Sequence, residues 1–292
     1  IMCFRVVDET MEAKAQTIQA QEFSRRITSV FSYVSHEYRN LYMCADYGLQ
    51  TLEEEIPKLC PHLEEDVNLI THSHKCIAEM FNDVLDYQSV ECGEFKYPMH
   101  ILDVERFLKD INIYMTGLAR KFDHVRVVTD VDEAFKRHFD LLGSERHLYQ
   151  AVTNILSNAF KYNSKTDGIV RFIVNVVEHV NNVCTVCFQI TDVGAGIPED
   201  QHEMVFRPYK RLSTSQDRMG TGLGMPLSKH FIENGHKGSI CIKPNTIDGK
   251  GSIFEITIPS QCIQKTPTPT SSTGNTKKMW ETDFIEFVAD VL

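Results

Sequence analysis

From Glu9 to about Ile56 the chain runs without a helix breaker, and within that run Phe31, Val34, Tyr38, Leu41, Ala45, Gly48 and Leu52 recur at alternating spacings of 3 and 4. That is the period of a helical-bundle seam. Pro57, Cys60 and Pro61 break the run, and Leu63, Val67, Ile70, His74, Ile77, Phe81, Val84 and Gln88 then resume the same spacing. Two long helices joined by a short Pro-containing connection predict an antiparallel hairpin. A lone hairpin leaves its seam uncovered, so pairing with a second copy into a dimeric four-helix bundle is expected.

After Glu91-Cys92-Gly93-Glu94 the pattern changes. HVRVVTDV (124–131), IVRFIVNVV (169–177), TVCFQIT (185–191), SICIK (239–243) and IFEITI (253–258) read as strands, with Asn181-Asn182 as a turn. Glu145–Lys161 and Pro226–Asn234 read as helices. The fold class is therefore α plus α/β, a helical hairpin followed by a mixed α/β domain. Five segments are expected: a short strand at 1–8, the helical region 9–94, the α/β domain 95–260, a TPTPTSSTGNTKK linker at 261–278, and an amphipathic stretch at 279–292.

A length of 292 residues suits roughly two domains, and 42% hydrophobic with 24% charged residues is an ordinary globular balance. No stretch approaches the roughly 18 uninterrupted apolar residues of a membrane helix. The formal net charge of −10 argues against broad phosphate-backbone binding, so no nucleic acid and no membrane contact are expected. Nine scattered cysteines read as a reduced, intracellular, cytoplasmic chain rather than a disulfide framework. Cys184 and Cys187 form a C-x-x-C, but residues three apart on a strand face opposite ways, so structural thiols are expected there. A first residue of Ile rather than Met leads to the expectation of a piece from a longer protein.

The chemistry gathers at a few places. With Phe31 and Val34 as a and d, His36 falls at f, the position farthest from the bundle core, and Asn40 shares its face. Glu37 follows directly; a carboxylate on one ring nitrogen would fix the tautomer and leave the other nucleophilic. An ordinary surface histidine has the same spacing. In the second domain, ITDVGAGIP (190–198) ends a strand in Asp-x-Gly-x-Gly, and GTGLGMPLSK (220–229) puts alternating glycines before a helix. YQAVTNILSNAFKYN (149–163) places Asn154, Asn158 and Lys161 on one helix face. Each suits a nucleotide: a strand-end carboxylate for an exocyclic amine, glycine N–H groups for phosphate, carboxamide oxygens for Mg²⁺, and an ammonium for phosphate charge. Neither a P-loop nor a complete G-x-G-x-x-G is present.

Together with SHEYRN (35–40), these motifs in this order resemble the sensor histidine kinases, over about residues 8–260. That resemblance implies a dimerisation and phosphoacceptor hairpin followed by a GHKL-type (Bergerat) α/β sandwich that binds ATP and Mg²⁺. It implies His36 as phosphoacceptor, Glu37 as its acid/base partner, and Asn40 as the residue that positions water for phosphatase action. Asn158 would ligate Mg²⁺, with Asn154 and Lys161 near the phosphates and Tyr162 lining the site. Asp192 would read adenine, with Gly194 and Gly196 shaping its loop. FRPYKR (206–211) offers Arg211 as a phosphate contact. Gly220, Thr221, Gly222, Leu223 and Gly224 would form the phosphate loop, and about 207–221 the ATP lid.

Asn154 stands where hydrolysing GHKL relatives carry a Glu base, and an amide cannot activate water. Leu41 replaces the family's usual proline, which predicts a straighter helix below His36. The implied partners are a second copy of the chain and a response-regulator receiver domain, separate or in the same full-length chain. FRVVDET (4–10) resembles the exit of a PAS sensor domain, although a plain strand-to-helix cap accounts for it equally. Two other readings stay open: a GHKL ATPase that drives conformational change, and a dimerisation scaffold with a degenerate pocket.

Overall fold

The computed structural model describes residues 30–264, except 32, 57, 133–134, 137–138, 165, 181, 211–220 and 246–249. The segment expected at 1–8, residues 265–278 of the expected linker and the stretch at 279–292 lie outside the described residues; the first four residues of that linker, 261–264, are instead the end of the last strand, whose ladder runs past the expected domain limit.

Helix α1 occupies 33–56. A 3-10 turn, Pro61–Leu63, then leads into α2, Glu64–Glu91, whose first turn carries Glu64, Glu65 and Asp66 at the positive end of the helix dipole. Gly93, at φ +71°, closes α2, its N–H donating to the Val90 carbonyl. The helices run antiparallel: Tyr38 stacks on Phe81 at 3.7 Å and Tyr42 on His74 at 4.4 Å between ring centroids.

The seam itself departs from expectation. Within the chain, α2 turns Val67, Thr71 and Ala78 inward, with His74 and Phe81 half-buried beside them. Tyr38, Tyr42, Asp46 and Leu49 are among the half-buried positions of α1. Val34, Leu41, Leu52, Ile70 and Ile77, all expected in one seam, remain exposed, Leu41 at 70% and Ile77 at 58%. The single 3-4 pattern thus merges two neighbouring stripes. One is covered by the partner helix, and the other is an apolar face open in the single chain. His74 lies 4.0 Å from the Asp46 carboxylate and packs by stacking rather than by a hydrogen bond.

The α/β domain opens with β1, His100–Leu102, and α3, Val104–Lys121, capped by Asp103, which accepts from the Arg106 N–H. There follow β2 (Val125–Val131), β3 (Phe139–Gly143), α4 (Glu145–Lys161), β4 (Gly168–Val180) and β5 (Val183–Asp192). A short α5 (His202–Val205), α6 (Gly224–His230) with a π turn, and the strands β6 (Ser239–Pro244) and β7 (Ser252–Gln264) complete it. The seven-stranded sheet has the order β1-β3-β7-β5-β4-β2, with β6 on β7; only β2 and β4 pair in parallel.

Period-two alternation puts Val170, Phe172 and Val174 of β4, and Val186, Phe188 and Ile190 of β5, on one sheet face. Against them lie Phe107, Ile111 and Met115 of α3 and Leu148, Val152, Ile155, Leu156 and Phe160 of α4, all essentially dry. The other sheet face is only partly covered, so the domain is a two-layer sandwich.

One expectation is overturned. Cys184 and Cys262 are joined as a disulfide across β5 and β7, with Cα atoms 5.8 Å apart, where only reduced cysteines were expected. Their 78-residue separation hid the pairing, because a strand crossing rather than a local motif brings them together. Of the C-x-x-C expectation, the opposite facing holds, with Cys184 in the core and Cys187 half-buried, but only Cys187 is a thiol.

Ile155 is fully buried between helix and sheet. Ile155→Ala is expected to cost about 2–5 kcal/mol, through lost transfer energy plus the cavity left behind. A lowered urea midpoint with an unchanged m-value would show it.

Candidate active site

Helix α4 is the wall on which the site is built. Its apolar face locks it to the sheet, and its opposite face carries Gln150, Asn154, Asn158 and Lys161. Asn154 and Tyr162 lie about 12 Å apart along that face. Each end meets a glycine-bearing loop.

At the C-terminal end the loop after β5 turns against Tyr162. A Cβ on Gly194 would run into the Tyr162 carbonyl, and one on Gly251 into the carbonyl of Asp192. Gly196 and Gly251 also adopt φ +76° and +91°, which side-chain-bearing residues rarely do. These close approaches bury Asp192 to 7% exposure. Its Oδ1 accepts from the Gly194 N–H at 2.8 Å, and its main-chain carbonyl accepts from Asn245 Nδ2 at 2.9 Å. Burial pushes the Asp192 carboxyl up to about 6, against the opposite pull of the Gly194 and Ser252 N–H groups. Asn245 and Gly251 escaped sequence reasoning. The Gly-Lys-Gly-Ser at 249–252 was the one local signal.

At the other end of the wall, Asn154 Nδ2 donates to the Gly224 carbonyl and Ser228 Oγ, both at 3.2 Å. The amide therefore braces the start of α6. Gly222, at φ +75°, backs onto Tyr209, whose N–H donates to the Gly222 carbonyl at 3.1 Å. Asn158 and Lys161 lie between the two loops, half-buried, with Lys161 Nζ 5.3 Å from the Tyr162 ring centroid. The structure thus places Asn154, Asn158, Lys161 and Tyr162 along one helix, with Asp192, Gly194 and Gly196 in the loop at Tyr162 and Gly222 and Gly224 in the loop at Asn154. Arg211 and Gly220 lie outside the described residues.

Thr221 and Leu223 have a second role that the sequence did not reveal. Thr221 Oγ1 donates to Asp83 Oδ2 of helix α2 at 3.3 Å, and Gln150 Nε2 donates to Asp83 Oδ1 at 3.3 Å. Leu223 is fully buried and packs with Leu227 and Phe231 against Val84, Tyr87, Val90, Phe95 and Tyr97. Its contribution to the glycine loop is its main-chain N–H, which donates to Thr221 Oγ1 at 3.2 Å. The α/β domain is thereby docked on the end of the hairpin. Burial and the neighbouring Asp86 push the Asp83 carboxyl up to about 6, despite its two hydrogen bonds.

His36 is exposed on α1 and, as a ring-nitrogen partner, it has Asn40 rather than Glu37: Asn40 Nδ2 lies 3.2 Å from His36 Nδ1. Residues four apart share a helix face, whereas Glu37 is turned about 100° away. Since Tyr38 stacks on Phe81 in an antiparallel pair, Asp83 lies at about the height of His36 along the hairpin.

Residues 143–261 match the family described as histidine kinase-, DNA gyrase B- and HSP90-like ATPase. Two-component system protein A of Emericella nidulans is 28% identical over 264 residues, covering 87% of this chain and 36% of that protein. The circadian input-output histidine kinase CikA of Synechococcus elongatus is 27% identical over 276 residues, covering 93% of this chain and 35% of its own. Hybrid signal transduction histidine kinase A of Dictyostelium discoideum is 28% identical, over 82% of this chain and 11% of that protein. The crystal structure of full-length ShkA in complex with AMPPNP shares the fold, with a TM-score of 0.61 at 20% identity over 80% of this chain and 46% of that one.

The fold of the domain is that of the GHKL-type ATPases. The chain is a homologue of the hybrid sensor histidine kinases, and it spans about a third or less of the length of these curated relatives.

Two outcomes follow. If Asp192 takes the adenine amine, as the resemblance implies, its carboxylate is a stronger acceptor than its acid form, so affinity for a fluorescent ATP analogue should fall severalfold from pH 7 to pH 5, as the carboxyl protonates around pH 6. Gly194→Ala should abolish binding at either pH. Asp83 behaves oppositely: because its folded pKa is raised, the stability it lends is complete below the ordinary value of 3.8 and lost as pH rises through about 6. Calorimetry of Asp83→Asn beside wild type should show the Tm difference moving in the variant's favour between pH 4 and pH 7.

Proposed function

We propose that this chain is an ATP-dependent protein-histidine autokinase that phosphorylates His36 and passes the phosphoryl group to an Asp of a response-regulator receiver. The carrying observation is a juxtaposition. A nucleotide-type pocket, with a buried Asp192 at one end and a glycine loop at the other, is docked by Asp83 at about the height of an exposed histidine.

The residues present fit Mg-ATP. Asp192 is a buried carboxylate at the end of its strand, in a loop whose close backbone approach requires glycine at 194 and 251. Asn158 offers a carboxamide oxygen of the hard type Mg²⁺ takes, and Lys161 a cation for phosphate oxygens. Mg²⁺ would neutralise charge on the phosphates; positioning and electrostatics supply the rest of a phosphoryl transfer. Asn154 cannot act as a hydrolytic base, and its amide is already engaged by Gly224 and Ser228. The γ-phosphoryl is therefore conserved for a protein nucleophile.

At the acceptor, the Asn40 contact governs the tautomer. While its amide N–H donates to Nδ1, the ring proton stays on Nε2. With the carboxamide turned over, its oxygen accepts the Nδ1 proton and the Nε2 lone pair is exposed for attack. Glu37, next in sequence but turned about 100° from the ring, is the acceptor we assign to the proton released by the reaction, as the resemblance implies, and not a contact of the ring in this structure. Asn40 also holds a polar group where water could be positioned for the phosphatase direction.

The apolar stripe of Val34, Leu41, Leu52, Ile70 and Ile77 supports closure into a homodimeric four-helix bundle with a second copy. No helix of the described residues is long and apolar enough to cross a membrane. We place this segment on the cytoplasmic side, next to a receiver that hybrid relatives carry in the same chain.

Incubation with γ-labelled Mg-ATP is expected to give a base-stable, acid-labile label on wild type. His36→Gln should lose it entirely while still binding nucleotide, and Asp192→Asn should lose at least 100-fold with nucleotide affinity. Steady hydrolysis unaffected by His36→Gln would instead identify a GHKL ATPase.

A further inference from the structure

We propose that Cys184 and Cys262 form a reversible thiol–disulfide modification site that fastens the last strand of the ATP-binding domain, with His179 as its proton acceptor. The pair is remote from the nucleotide. Cys184 is the second residue of β5 and Asp192 its last, a separation of about 26 Å along the strand. Its place is mechanical. Up to Gln261, β7 pairs with β5; from Cys262 onward it pairs with β3. Cys262 is thus where the β5 ladder ends and the β3 ladder, on the opposite edge of β7, begins, and its N–H donates to the Asn182 carbonyl at 2.8 Å. A bond from Cys262 to Cys184 ties the end of β7 to β5.

The site is built for the bond. The Cα separation of 5.8 Å is the usual one for a disulfide. Cys184 is 1% exposed and Cys262 9%, so Cys262 is the sulfur an outside reagent reaches first. His179 is the cross-strand partner of Cys184, and one of its ring nitrogens lies within 4.8 Å of both sulfurs. It is exposed, and its ring packs edge-on to Phe139 at 5.3 Å. A neutral imidazole there can draw the proton from a thiol, which otherwise attacks poorly when buried.

The oxidant is a low-molecular-weight disulfide of the glutathione class, RSSR. The Cys262 thiol passes its proton to His179, and the thiolate attacks one sulfur of RSSR, breaking its S–S bond and releasing RS⁻. The Cys184 thiolate then attacks the Cys262 sulfur of the mixed disulfide, forming the internal bond and expelling a second RS⁻. Both leaving thiolates take up the two protons lost by the cysteines, so two protein thiols are oxidised and one RSSR is reduced to two RSH. In a reducing cytoplasm the pair rests as thiols, and it closes when the glutathione pool is oxidised.

Full chain equilibrated in mixtures of reduced and oxidised glutathione tests this, by peptide mapping after alkylation and by thermal unfolding. A linked Cys184–Cys262 peptide should appear with oxidised and vanish with reduced glutathione. The oxidised form should melt higher by about 5–10 °C, as expected for closing a long loop. That difference should disappear in both Cys184→Ser and Cys262→Ala, while affinity for an ATP analogue stays within twofold of wild type. His179→Gln should slow closure several-fold without changing its extent. Absence of the linked peptide from folded wild type in excess oxidised glutathione would overturn the proposal. So would one equivalent of Zn²⁺ retained by the reduced chain and lost in His179→Gln, because the three donors would then be a metal site. An unchanged rate in His179→Gln would remove the imidazole from the mechanism.

Discussion

The structure depends on one helix having to satisfy two surfaces. Helix α4 drives Leu148, Val152, Ile155 and Phe160 into the sheet, and this burial fixes its rotation. With the rotation fixed, Gln150, Asn154, Asn158 and Lys161 can face only the pocket and the hairpin. The two loops at its ends then have little freedom. The Asp192 turn is pressed against Tyr162, and the glycine loop is braced by Asn154. A polar site that looks assembled from scattered motifs is thus positioned by an apolar contact on the reverse of the same helix, as a preorganised site requires.

The same helix links the pocket to the hairpin. Gln150 and Thr221 both donate to Asp83, and Arg146 lies 3.9 Å from Asp86. These contacts flank the Leu223–Leu227–Phe231 cluster, which Phe95 and Tyr97 of the connecting segment complete. Burial of apolar rings holds the domain to the hairpin without directional demands. The two carboxylates specify where it sits, at the cost of desolvating them. An interface of this composition is suited to release. Its apolar part is modest, and its buried Asp83 becomes harder to keep docked as it ionises.

Much of this was legible in the chain. The motif helix was read at its true limits, 145–161, because its apolar period is strong and its ends are marked. The strand-end Asp-x-Gly-x-Gly and the glycine run announced themselves through the residue type that tight backbone approach demands. Less legible was anything set by tertiary pairing. The strands at His100–Leu102 and Phe139–Gly143 are too short for alternation to show. The hairpin seam was read one stripe wide where there are two, since adjacent stripes on a helix give the same 3-4 spacing. Cys184–Cys262 and Asp83–Thr221 join residues 78 and 138 positions apart, and no local pattern encodes such meetings.

The arrangement at His36 sharpens what the hairpin must do. The histidine is on the outward side of α1, whereas the docked domain holds α2, at a similar height but on another helix. The proposed transfer to His36 needs the γ-phosphoryl within about 3–3.5 Å of the ring nitrogen. On that proposal, a domain held by Asp83 and the Phe95–Tyr97 clasp must either pivot around the hairpin or act on the histidine of a second copy brought close by the open apolar stripe. In either case the contact with Asp83 is one that the proposed transfer has to break or carry with it. The residue that docks the glycine loop is consequently also placed to set how often that loop is free to meet a histidine.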